Sequence, residues 1–389
     1  AQNDFSKGSV VWNIMGMAIP MTAAQLINLL YNVVDRIYIG YIPEHATLSL
    51  TGLGVCLPVI TAVMAFANLF GMGGAPLCSI ERGRGNQKEA EAIMGNAFTL
   101  MVICGILLTI LGIVFRRPLL YLFGASDSTY PYAESYMTIY LLGSVFVMMG
   151  LGMNAFINSQ GFGRIGMQTV LLGAVANIIL DPVFIFGFRM DVRGAALATI
   201  ISQFLSAAWV LRFLFSDRSI LRLKRETMVL KKARVLKIVS MGMSSFAAGF
   251  TNSVVAVACN ATLQTWGGDL YVGVMTVIHS VREIAESLVK GLTGGSQPVL
   301  GYNFGAGQYD RVKKAIRFLS VSTIAFTTFC WILISIFPET FIHIFNRDET
   351  LVQAAIPAVR VYFFGFFMMS LQYSGQACFI GLGKAKQAT

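Results

Sequence analysis

Charge is scarce in this sequence. Only 12% of its 389 residues are Asp, Glu, Lys or Arg, 56% are apolar, and the mean hydropathy is +0.68. A soluble globular domain carries about 25% charged residues, so the deficit excludes a water-facing surface over most of the chain and puts it in a bilayer. Three dispersed histidines contain no H-E-x-x-H, which argues against an intramembrane metal enzyme. The six cysteines (Cys56, Cys78, Cys104, Cys259, Cys330, Cys378) lie inside apolar runs without C-x-x-C spacing, and read as packing residues rather than disulfides or metal ligands. No cofactor and no metal site is expected.

What the chain has in abundance is apolar runs of about 20 residues, the length that crosses a hydrocarbon core. Ten can be read, at 11–34, 50–79, 93–115, 132–158, 166–188, 194–215, 236–265, 270–299, 315–337 and 351–380. The lead AQNDFSKGSV runs directly into a first segment too long for a signal core, so no cleavable signal is expected. With the N-terminus cytoplasmic, the loops on that side hold 20 Lys and Arg and the opposite loops 6. This bias orients the chain, and it makes the basic stretch between Arg212 and Lys237 a topology anchor rather than a nucleic-acid patch.

Residues 73–143 reappear without a gap 222 positions later. Gly73, Pro76, Gly83, Gly85, Phe115, Phe123, Tyr140 and Gly143 fall on Gly295, Pro298, Gly305, Gly307, Phe337, Phe345, Tyr362 and Gly365. Such a register implies a duplicated polytopic domain. Six spans precede the basic connector, so the repeats should run parallel. The expected architecture is an all-α membrane protein of two parallel six-helix lobes: 1–215 (spans 1–6), a connector at 216–235, and 236–389 (spans 7–10 and the start of another), with the last two helices missing from this chain. The G-x-G loops at Glu81–Ala92 and Asn303–Ala315 lead into helices; with no preceding strand and no Walker lysine they are turns, not phosphate cradles.

Ionisable groups inside spans are expensive and point to function. On the first span, Gln25, Asn28, Asn32 and Asp35 are spaced to share one helical face. Pro20 removes a backbone hydrogen bond from the same helix and provides a place to bend. Asn177 and Asp181 share a face of the fifth span just before Pro182, Thr199 and Gln203 one of the sixth, and Tyr140 and Ser144 one of the fourth. Four polar faces in one half imply a hydrated cavity there. The competing reading is that Asp35 pairs with Arg36 at the surface and Asp181 caps a helix break. In the eighth span Arg282, Glu286 and Lys290 form a ladder beside Glu283, either a self-neutralising strip or a secondary site at Glu283 and Glu286. His279 reads as a packed polar residue. Methionines, Met153 among them, suit an adaptable cavity wall as well as they suit lipid-facing filler.

The paired loops RGRGNQKEA and FGAGQYDRVKKA, the first span from Pro20 to Asp35 and the fifth-span NIILDPVFIFG together resemble the multidrug and toxic compound extrusion family. The resemblance covers essentially the whole chain. It looks closest to the branch of DNA-damage-inducible and staphylococcal-type exporters, whose ion-coupling residues lie in the N-terminal lobe. It implies a two-lobed, twelve-helix exporter of organic cations in the inner membrane, exchanging them for H+ or Na+ by alternating access. The implied roles are hinge for Pro20, ion coupling for Asp35, Asp181, Asn177 and Thr199, and pocket aromatics for Tyr31 and Tyr140, in a chain acting as a monomer. A lipid-linked oligosaccharide flippase of the same superfamily is the alternative. Aligning Gly16 with Gly242 sets Asp35 opposite Ala261, so the chemistry is expected mainly in the first copy.

Overall fold

A backbone inside hydrocarbon must satisfy its own hydrogen bonds, and every apolar run here does so as helix. A computed structural model describes residues 2–389, among which there is no strand. In chain order the helices are α1 (Val10–Gly40), α2 (Ala46–Gly83), α3 (Gln87–Val114), α4 (Arg116–Leu122), α5 (Tyr130–Leu142), α6 (Ser144–Gly152), α7 (Asn154–Ser159), α8 (Gly163–Pro182) and α9 (Val192–Phe215). After the connector come α10 (Lys232–Gly305), α11 (Tyr309–Ile336), α12 (Pro338–Phe345), α13 (Glu349–Phe363), α14 (Met369–Gly381) and α15 (Ala385–Ala388).

Eight helical stretches are long and apolar enough to cross a membrane, and the bent run from α5 through α7 is a ninth. The 74 residues of α10 would measure about 110 Å if straight, far more than a core of about 30 Å. Gly268, at φ 66° and ψ −163°, breaks α10 into two legs. Ile238 on the first leg touches Gly73, and Tyr302 on the second touches Gly83, so both ends of α10 meet the same end of α2. The chain therefore reverses at Gly268, which divides α10 into two legs.

Several expected boundaries shift. The fourth span is not one helix: it bends by 57° at Gly143, and the tenth is interrupted by a 3-10 turn at Phe366–Met368 just after Gly365. The fifth span leaves α geometry after Pro182 and continues as a π turn, Val183–Gly187. Helix α10 starts at Lys232, inside the stretch expected to be connector.

The spacing of 222 recurs in the helices. Gln87–Val114 and Tyr309–Ile336 begin and end at that separation, and α2 ends at Gly83 as α10 ends at Gly305. Gly85 (φ +78°) and Gly307 (φ +73°) occupy the left-handed region in the two turns, where a side chain would be strained. At the same end of the molecule, a Cβ on Gly83 would strike the Tyr302 carbonyl and one on Gly305 the Ile80 carbonyl. Glycine at all these positions lets α2 and α10 pack backbone to backbone.

Three apolar clusters fill the interior. The largest joins α2, α3 and α5–α9, with Met94, Met137, Leu141, Met148 and Phe156 fully enclosed. A second, around Ile278, Ile342, Val352 and Phe363, holds the later helices together. A third seals the seam between them near the basic loops, where Phe5, Ile14 and Met17 meet Val299, Leu300 and Leu319. The connector is stitched down rather than free. Asn96 donates to the carbonyls of Thr227 and Val229, Gln160 accepts from the backbone of Ile220 and Leu221, and Lys224 pairs with Glu91 at 3.1 Å.

Candidate functional site

Helix α1 separates two environments along its outer half. Leu26, Leu30, Val33 and Ile37 form an exposed apolar face, and the opposite face carries Gln25, Asn28 and Asp35. Gln25 and Asn28 are half-buried, Asn32 is exposed, and Asp35 is 9% exposed. Helix α1 runs unbroken through the buried Pro20.

Helices α8 and α9 approach closely because small residues bracket the contact. Gly173 faces Ser206, whose hydroxyl donates to the Thr169 carbonyl at 3.0 Å, and Gly194 sits against the backbone of Phe184. Between these two contacts lie the polar residues. Asn177 Nδ2 donates to Asp181 Oδ2 at 2.9 Å, and the Thr199 hydroxyl reaches Asn177 Oδ1 at 3.5 Å while donating to the Ala195 carbonyl at 3.0 Å. Asp35 projects from α1 onto Asp181 and Asn177, and Tyr31, one turn earlier, reaches Thr199. Asn177 and Asp181 are at most 1% exposed.

The structure thus brings together Asp35, Asn177, Asp181, Thr199 and Tyr31, with Tyr140 behind them. Tyr136 completes the wall: it stacks on Tyr140 with centroids 6.1 Å apart and lies beside Asp35 and Tyr31. It escaped the sequence reading although it precedes Tyr140 by one helical turn, which was the available signal. Two carboxylate oxygens, Asp35 Oδ1 and Asp181 Oδ1, are buried with no hydrogen-bond partner. Paired carboxylates of this kind, accompanied by an amide oxygen and a hydroxyl, fit a shared proton or a small hard cation.

The remaining candidates sit elsewhere. Asp35, Asn177, Asp181, Thr199 and Tyr31 lie against one another, while Gln25 and Asn28 stay half-buried and Asn32 is exposed. Met153 is 0% exposed inside the first apolar cluster and offers no surface to a substrate. Ser144 turns away to the Thr109 hydroxyl at 2.8 Å, joining α6 to α3. Gln203 packs half-buried beside Gly150. Glu134 pairs with Arg116 at 3.1 Å.

In the later helices, Glu286 is clasped by Arg282, with Lys290 at 3.5 Å and Tyr373 also in reach, and Arg282 donates to the Tyr362 hydroxyl. Glu283 is exposed. His279 packs its ring against Tyr362, leaving Nε2 buried and unpartnered. The ladder is internally neutralised except for one surplus positive charge.

A model of the family described as MatE matches residues 20–183 and 244–389. The multidrug export protein MepA of Staphylococcus haemolyticus is 24% identical over 357 residues, 92% of this chain and 78% of that protein; its namesake in Staphylococcus aureus is 23% identical over the same shares. A solved structure described as the outward-facing conformation of a multidrug resistance MATE family transporter of the MOP superfamily superposes with a TM-score of 0.91 at 20% identity, covering all of this chain and 86% of that one. At that identity the likeness is one of fold.

Proposed function

The chain belongs to the MatE family, and on that premise we propose that it is a secondary antiporter exporting lipophilic organic cations in exchange for H+ or Na+ by alternating access. The observation that carries this reading is the contact of Asp35 with Asp181, both buried and each with one oxygen unpartnered. Two carboxylates so placed repel unless a proton or a metal ion lies between them. Loading and unloading that position therefore changes how firmly α1 is held against α8 and α9. Pro20, midway between Asp35 and the end of α1 pinned in the seam, is where α1 bends as the grip changes. With the basic loops cytoplasmic in the bacterial inner membrane, the seam sealed by Gly83, Gly305 and Phe5 closes the inner side. Exported cations then leave on the outer side.

The test is substrate efflux from proteoliposomes under an imposed pH gradient or an imposed Na+ gradient. Whichever gradient alone drives efflux identifies the ion. Asp35→Asn and Asp181→Asn, at normal abundance, should each abolish that driving; retained coupling in both would overturn the reading.

A further inference from the structure

Two cavities lie end to end along the seam between α1 and α11. The one nearer the basic loops, about 600 Å³, is walled by the first turn of α1 (Ser9, Val10, Val11) and by Arg311, Lys314 and Arg317 of α11. The other, about 580 Å³, continues deeper and is almost wholly apolar, with Met15, Ile19 and Leu26 on one side and Leu292, Phe318 and Phe326 on the other. Phe318 lines both. Along α1 the lining residues Val11, Met15, Ile19 and Leu26 keep to one face, as do Lys314, Phe318, Ser322 and Phe326 along α11. From Val11 to Leu26 the groove is about 22 Å long, which matches an extended acyl chain.

The charges at its mouth are prepared. Arg311 is held by the carbonyls of Phe5 and Gly8 at 2.9 and 2.7 Å and by Asn303 Oδ1 at 2.9 Å, which fixes its positive charge at the pocket. Lys314 and Arg317 are exposed and take no part in the ion pairs found among the described residues. Among the described residues no carboxylate lines the cavity. A positive-inside bias alone accounts for cations at this depth, but not for a cavity of head-group size opening into a chain-length apolar groove.

We propose that this seam is a binding site for an anionic phospholipid. The phosphate sits among Arg311, Lys314 and Arg317, where charge-assisted hydrogen bonds are strongest, and one acyl chain fills the groove beside Pro20. Because α1 belongs to the first half and α11 to the second, the lipid bridges the two and braces the closed seam.

The purified protein in neutral detergent would be titrated with phosphatidylglycerol, with phosphatidylcholine of the same chains, and with inorganic phosphate, reading melting temperature and lipid retention by native mass spectrometry. Phosphatidylglycerol should be retained at least about tenfold better than phosphatidylcholine, a difference of ~1.4 kcal/mol, and inorganic phosphate should give no shift. Lys314→Gln with Arg317→Gln should erase the head-group preference. Ser322→Trp, which fills the groove, should weaken both lipids alike. The melting temperature of each variant in detergent alone reports whether it has folded, and a variant that fails this check is replaced by Lys314→Ala or Ser322→Leu. Equal retention of the two lipids by the unmodified protein, a shift with phosphate alone, or an undiminished preference in the folded double variant would overturn the proposal.

Discussion

Arg234 grips Glu89 with two parallel hydrogen bonds, Nε to Oε1 at 3.0 Å and Nη2 to Oε2 at 2.9 Å. Glu89 begins α3 and Arg234 begins α10, so the pair ties the two halves together beside the connector. Both side chains are partly exposed (29% and 20%), which limits the pair to about 1 kcal/mol. In thermal melts, Glu89→Gln and Arg234→Gln should each cost about that much, and the double variant no more than either alone, since the second change removes nothing further. Additive losses would mean the two residues do not act as a pair.

Gly83 leaves no room for a side chain against the Tyr302 carbonyl, and that obstacle is backbone. Gly83→Leu should therefore lower stability by about 2 kcal/mol or more, or prevent the halves from closing. Melting and size-exclusion profiles in detergent check this; Gly249→Leu, at a position with open space around it, is the control expected to stay near the parent value.

Asn177 donates to Asp181, whereas the Thr199 hydroxyl is already satisfied by the Ala195 carbonyl. Asn177→Ala should reduce gradient-driven efflux by about tenfold, and Thr199→Ala by about threefold or less. Initial rates in proteoliposomes, normalised to protein, decide between this ranking and equal importance.

Tyr136 lies beside Asp35 and Tyr31 and stacks its ring on Tyr140. Tyr136→Phe keeps the stacking on Tyr140 and should leave the melting temperature unchanged while slowing efflux about threefold. Tyr136→Ala should lower both.

Among the described residues Glu286 is the carboxylate paired with both Arg282 and Lys290 in the ladder. If that ladder is structural, Glu286→Gln costs about 2 kcal/mol of stability, because a half-buried cation loses its counter-charge, while ion-coupled efflux per folded molecule stays within about twofold. A loss of coupling with unchanged melting would make Glu286 part of the transport machinery.

Much of this molecule is legible in the sequence because bilayer insertion is a local property. The membrane-length helices follow from run length and hydropathy, and the paired turns follow from Gly85 and Gly307, whose left-handed backbone any sequence with G-x-G at a helix end invites. Asp35, Asn177, Asp181 and Thr199 stood out one helix at a time because helical spacing puts polar groups on a common face. A methionine such as Met153 looks the same in sequence whether it stands in a cavity wall or, as here, in a sealed core; only the neighbours distinguish them. Tyr136 was missed because an aromatic residue on a membrane helix is unremarkable until a carboxylate from another helix arrives beside it.

By itself, then, the sequence determined which runs are long and apolar enough to form membrane-length helices, where the chain turns, which residues are too polar to face lipid, and the spacing of 222 that recurs in the helix bounds. Tertiary structure decided that Asp35 meets Asp181, that Glu89 of α3 pairs with Arg234 of α10, and that α1 and α11 leave a groove between them. The physical reason is range. Hydropathy and periodicity act within a helix, whereas the meeting of two side chains from distant helices depends on how closely backbones approach, and here glycines at Gly83, Gly173, Gly194 and Gly305 set that distance.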